Sequence, residues 1–209
     1  IRKVILYLLS DSFSEIILIA GSLMMGLPLP IVATQILWLN LVADGLPNIA
    51  MTLEPGEKEV MNDKPRRKDE PILNKEMKIL IFAIGIITDL VLLGLFVVLL
   101  GMFTDITYIR TIIFVALGVD SLLYVFSIRS LRRSIFNKNL FSNRYLIGAV
   151  IISFLAFFLI IYIPWLQPIF QTVSLGLNEW LLIIGLAFIK IVLIEIVKYY
   201  FIVKKRKGI

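Results

Sequence analysis

The run Gln35-Ile-Leu-Trp-Leu-Asn40-Leu-Val-Ala-Asp44-Gly45-Leu-Pro47 decides how this chain is read. It is apolar enough for a membrane helix, yet it carries an amide and an acid four residues apart, which stack on one helix face. Gly45 and Pro47 follow at once. Proline has no N–H to offer the carbonyl four residues back, here Ala43, and glycine loosens the same turn. The helix is therefore predicted to unwind in the middle of its span, freeing carbonyls beside a carboxylate and an amide. Irregular backbone at membrane depth persists only where protein or a polar cavity surrounds it, and oxygen-only donors of this kind suit a hard cation. From these residues alone the alternative is an ordinary proline kink, with Asn40 and Asp44 hydrogen-bonding to other helices.

The composition says which solvent surrounds that run. Of 209 residues, 59% are apolar and 17% charged, against about 45–50% and ~25% in soluble domains. The 21 Lys and Arg and the 15 Asp and Glu gather in short stretches between apolar runs. A spanning helix needs about 20 apolar residues. Six runs qualify, near 4–26, 30–52, 78–102, 107–128, 145–163 and 179–203. The expected fold is all-α, a polytopic membrane helical bundle of six transmembrane helices with the second unwound in its middle. Lys58, Lys64, Arg66, Arg67, Lys68, Lys75 and Lys78 load the loop 54–78, and Arg129, Arg132, Arg133, Lys138 and Arg144 load 129–144. Loops 26–30 and 164–178 carry no positive charge, and 102–110 carries only Arg110. By the positive-inside rule the two charged loops and both ends of the chain face the cytoplasm. Trp165 and Trp180 then anchor the outer interface. The net charge of +6 is read as attraction to an anionic leaflet, not to nucleic acid. The absence of Cys and His removes thiolate and imidazole chemistry. The chain opens on Ile1 and enters an apolar helix within a few residues, so it is expected to be a fragment.

A carboxylate at bilayer depth costs at least about 2.5–3.5 kcal/mol and must find a partner, a cavity or an ion. Glu15, Asp44, Asp89, Asp120 and Glu195 fall inside the predicted spans, Asp11 near an end, and Lys190 is the one basic residue deep in a span. Lys190 and Glu195 are five apart, outside the favoured three-or-four spacing, and are expected to pair with other helices. The linker Gly26-Leu-Pro-Leu-Pro30 permits only a tight hairpin, which places the first two spans side by side. Ser12 and Glu15, three apart on the first, then share a face toward Asn40 and Asp44.

Asn40-Leu-Val-Ala-Asp-Gly-Leu-Pro47, the upstream Ile1-Arg-Lys-Val-Ile-Leu-Tyr-Leu-Leu-Ser10 and the loop Met61-Asn-Asp-Lys-Pro-Arg-Arg-Lys-Asp-Glu-Pro-Ile-Leu73 together resemble the carboxy-terminal membrane region of P-type ATPases, the calcium-transporting group in particular. The resemblance covers essentially the whole chain, as spans five to ten of a ten-span pump. It implies export of a cation driven by ATP and Mg2+ in a cytoplasmic headpiece, which lies outside this sequence together with the first four spans. It implies metal ligands at Asn40, Asp44 and Glu15, with Ser12 standing where two-site pumps have asparagine, Ala43 where they have threonine and Leu131 where they have glutamate. Those departures predict one Ca2+ per cycle, with Asp120 as an additional candidate ligand. Na+, H+ and Mn2+ pumps share the architecture, and a six-span channel or carrier is the rival of another class. The partners implied are the lipid bilayer, that of the plasma membrane, and the missing N-terminal spans and headpiece of the same pump. Pro65 and Pro71 suggest that the loop 54–78 docks near the headpiece.

Overall fold

The computed structural model describes residues 2–55, 75–78, 82, 85–129 and 142–199. Among them there is no strand; the chain is helix joined by short turns. Helix α1 is Arg2–Met24. It stops at Gly26, whose φ of +69° is left-handed, while Leu27 N–H turns back to Ser22 O at 2.9 Å. That is the glycine-terminated helix end, and Pro28 and Pro30 keep the helix from resuming. The next pass runs as α2 Ala33–Trp38, a π-helical segment Leu39–Gly45 and α3 Leu46–Thr52. Then come α4 Lys75–Lys78, α5 Ile86–Met102, α6 Ile106–Ile128, α7 Arg144–Tyr162, the short α8 Gln167–Phe170 and α9 Leu177–Lys198. Four of these, α1, α6, α7 and α9, are long and apolar enough to cross a membrane, and α5 is a shorter apolar helix.

The segment that opened the sequence analysis does not unwind. Trp38, Gly45 and Leu46 all keep right-handed helical angles, with φ between −62° and −66°. The helix widens instead into π turns, which fit an extra residue into each turn and recur at functional sites. Pro47 still withholds its N–H from Ala43, but the freed carbonyl does not wait for a cation. It accepts a hydrogen bond from the Tyr7 hydroxyl at 2.9 Å, and its neighbour Val42 O accepts from Ser153 at 2.7 Å. In a medium without water an orphaned carbonyl costs several kcal/mol. Hydroxyls from α1 and α7 remove that cost, so a full break is unnecessary.

Helix α6 is the central column, buried around its circumference by residues such as Ile109, Ile113, Phe114, Val119, Leu122 and Val125. By contrast α1, α7 and α9 keep an outward apolar side, seen at Ile16, Leu155 and Phe188. Lipid tails are as apolar as Leu, so such helices associate through close packing and polar contacts more than through hydrophobic burial. Those polar contacts lie at both ends and in the middle. At one end Asp105 caps α6 by accepting from Thr107 N–H and Tyr108 N–H, Gln35 donates to Phe170 O at 2.9 Å and Arg110 to Leu29 O at 2.8 Å. At the other, buried Arg129 pairs with Glu54 at 3.0 Å, and Asn143 donates to Glu54 and to Ala50 O, both at 3.0 Å. The tail of α3 is thus fastened to α6 and α7. The middle carries the acids.

Candidate cation site

Helix α1 presents a stripe of polar side chains at three-to-four spacing, Tyr7, Ser10, Asp11, Ser14 and Ser22, all buried. It meets the π-helical segment, where Asp44 is 4% exposed, and α6, which contributes Ser121. The Ser121 hydroxyl donates to Asp44 at 2.8 Å and to Asp11 at 3.1 Å. It also meets the Tyr7 hydroxyl at 2.5 Å. A hydroxyl has one hydrogen, so Ser121 serves one of the two acids at a time. Asp11, Ser14, Glu15, Asp44, Asp120 and Ser121 line a cavity of about 10 Å³, closed by Leu39 and Leu117. That volume holds about one water-sized particle.

Glu15 and Asn40 close the other side. The Asn40 amide nitrogen donates to the two Glu15 oxygens at 3.4 and 3.5 Å and to Ile36 O at 3.0 Å. Its amide oxygen, the atom a cation would take, has no protein partner among the described residues. Asn40 is exposed and Glu15 half-buried, so this side opens outward from the bundle. Among the described residues no three carboxylates are arranged to hold a metal ion by themselves. The donors are nonetheless all hard oxygens, the set that Ca2+ or Mg2+ takes and soft metals do not.

Residues 28–200 match the family described as "Cation transporting ATPase, C-terminus". The chain is 38% identical over 188 residues to the "Calcium-transporting ATPase" of Bacillus subtilis (strain 168), covering 90% of this chain and 21% of that protein. It is 33% identical over 202 residues to human "Calcium-transporting ATPase type 2C member 1", covering 95% of this chain and 22% of that protein. "Calcium-transporting ATPase 1" of Bacillus cereus (strain ATCC 10987 / NRS 248) is likewise 33% identical, over 95% of this chain and 24% of its own length. The chain belongs to the cation-transporting ATPase family.

It corresponds to the C-terminal region of those ATPases and spans about a fifth of the length of the curated relatives it matches. Of the ligands that family resemblance implied, Glu15 and Asn40 are in contact and Asp44 lies across the same cavity. Ser12 is exposed and does not line the cavity; Asp11 and Ser14, on either side of it in sequence, do. Asp120 reaches the cavity wall but is held in an ion pair by Lys190. Lys190 thus finds its partner on another helix, while Glu195 pairs with Lys198 of its own helix at 2.7 Å. Leu131 and most of the two charged loops lie outside the described residues. Asp11, Ser14, Ser121 and Tyr7 were missed as site residues. The spacing 7, 10, 11, 14 along α1 was the available signal. Ser121 sits beside an acid and carried none of its own.

Proposed function

We propose that this chain is the membrane part of an ATP-driven P-type pump that exports Ca2+, one ion per cycle. The observation that supports the reading is that Glu15 and Asp44 line one small polar cavity where an α1 face and a π-helical segment adjoin, with Asn40 bonded to Glu15 at its outer edge. Two charges from Glu15 and Asp44 match one divalent ion. Asn40 supplies an amide oxygen, and Ser12, on the outward face shared with Glu15, is a peripheral donor. The remaining oxygens of a six- to eight-coordinate Ca2+ shell come from the first four spans, which cover this outward side. In this reading α2, the π-helical segment and α3 form one span, so the chain crosses the bilayer six times. The two basic loops and both ends are cytoplasmic, at the plasma membrane. ATP and Mg2+ act in the headpiece, outside these residues. Ca2+ is the cargo in this reading and not a resident cofactor.

Calcium-dependent ATP hydrolysis and uptake by the full-length protein test the reading. The result expected is activation by micromolar Ca2+ that is lost in Asp44→Asn and weakened in Glu15→Gln. Activation by Na+, H+ or Mn2+ with no response to Ca2+ would assign another cargo. Cation flux without ATP would replace the pump with a channel or carrier.

A further inference from the structure

Helices α5, α6 and α9 enclose a cavity of about 80 Å³ that shares Asp120 with the candidate cation site. Its lip is formed by Ile87, Val91 and Ile189, each more than half exposed on the apolar outer side of the bundle. It therefore opens sideways, toward lipid chains. Its floor carries Asp89, Asp120 and Lys190. Asp89 is 3% exposed. One of its oxygens accepts from Ser14 of α1 at 2.7 Å; the other, Oδ2, is buried and has no partner among the described residues. Lys190 is bonded to Asp120, its one hydrogen-bond partner among the described residues, and an ammonium has three hydrogens to give. The floor thus holds an acceptor that lacks a donor and a donor with hydrogens to spare.

In the hydrocarbon region a polar atom left in that condition is costly, and the pattern selects what relieves it. An ammonium would satisfy Asp89 but face Lys190; a carboxylate would do the reverse; a hydrocarbon would satisfy neither. A hydroxyl both donates and accepts, so it answers both groups at once. Water has the same capacity, but the cavity is larger than one water needs, most of its wall is apolar and its opening faces lipid. The remaining space suits a carbon chain. We propose that this cavity is a lipid-side binding site for an amphiphile bearing one hydroxyl, an aliphatic alcohol in the simplest case. The hydroxyl donates to Asp89 Oδ2 and accepts from Lys190, and the tail leaves past Ile87, Val91 and Ile189 into the bilayer.

Photolabelling tests this, using the full-length protein in phosphatidylcholine vesicles, an octanol that carries a diazirine on its chain, and mass spectrometry of the labelled peptides. Adducts are expected on the α5 and α9 residues at the lip, and unlabelled octanol should protect them. Methyl octyl ether, which cannot donate, and octylamine, which is charged, should protect about tenfold less well, as should octanol itself in Asp89→Leu, which removes the acceptor. Ala187→Leu fills the cavity while leaving Asp89 and Lys190 in place, and should abolish the adducts; it serves where Asp89→Leu does not accumulate in the membrane. Adducts absent from the lip, or surviving Ala187→Leu, overturn the site. Protection by the ether equal to that by octanol, stronger protection by octylamine, or unchanged protection in Asp89→Leu overturns the hydroxyl as the recognised group. The measurement involves neither ATP nor calcium, so its failure leaves the pump reading standing.

Discussion

On one side of Asp44, Glu15 and Asn40 touch through long hydrogen bonds of 3.4 and 3.5 Å on a face that opens outward. On the other, Asp120 is ion-paired with Lys190, Asp89 accepts from Ser14 at 2.7 Å, and Ser121 holds Asp11 and Asp44 together, all within the bundle. The residue types are the same on both sides, acids with amides or hydroxyls. What differs is burial and bond length: the closed side makes short bonds inside the bundle, with Asp89 Oδ2 left without a partner among the described residues, and the open side makes long ones at its edge. A buried polar network of short bonds favours one arrangement of its helices, whereas loosely bonded groups can exchange their partners for a ligand at small cost. On the proposed reading, the closed side positions α1, the π-helical segment and α6, and the open side binds the ion. Asp44 belongs to both, which makes it the most sensitive residue of the set.

Substitutions separate the two sides, and Asp44 gives the largest expected effect. If the proposed site holds the ion, Asp44→Asn removes one of its two charges and is expected to cost about 2–5 kcal/mol of binding, hence ~30-fold or more in apparent Ca2+ affinity. Calcium activation of ATP hydrolysis reads it, and an unchanged activation curve would remove Asp44 from the site. Ser121→Ala comes next. It keeps every proposed ligand but leaves Asp44 and Asp11 without the hydroxyl between them. A hydrogen bond to a charged group contributes about 1.5–3 kcal/mol, so roughly tenfold or more weaker Ca2+ activation is expected. If Ser121→Ala matches wild type, the closed side does not position the open one.

Tyr7→Phe sharpens the contrast from the other direction. The variant leaves Ala43 O buried with no donor, because Pro47 cannot serve it, and an unsatisfied buried carbonyl costs about 1–3 kcal/mol. The expected result is a lower Tm for the pump in detergent. Glu15→Gln, on the open face, should leave Tm unchanged while weakening Ca2+ activation. Equal losses of stability in both variants would mean that the two sides are not distinct.

This division was only partly legible in the sequence. The all-helical bundle could be read because apolar runs and clustered charge follow from the solvent alone. The special character of residues 39–47 could be read because Gly45 and Pro47 act locally on the backbone. The sequence reading failed where the answer depended on a partner from another helix. A freed carbonyl at Ala43 looks like a cation ligand until Tyr7, 36 residues away, is seen to fill it, and unwinding then gives way to π turns. Gly45 permits that widening: a Cβ there would sit 3.3 Å from Asn40 O, tighter than ordinary packing. Lys190 and Asp120 likewise gave no sign of each other, since no spacing rule joins positions 70 residues apart. Asp11 was passed over for Ser12 because a one-residue shift along α1 turns a side chain by about 100°, and only packing against α6 decides which of the two faces inward.

Ser12→Ala tests that last point and carries the smallest expected effect. Ser12 lies on the outward face with Glu15, is exposed, and lines no part of the cavity with Asp44. A hydroxyl at the edge of an ion's shell, replaceable by water, contributes about 0.5–1.5 kcal/mol at most. Ca2+ activation should therefore shift by about twofold, with Tm unchanged. Asp11→Asn, one residue earlier, should instead disturb the bond through Ser121 and follow Ser121→Ala. If the order is reversed, with Ser12→Ala costing tenfold and Asp11→Asn nothing, the first four spans close over the outward face so tightly that Ser12 becomes a principal ligand. The open side would then be the larger part of the site, and the closed cavity around Ser121 only its support.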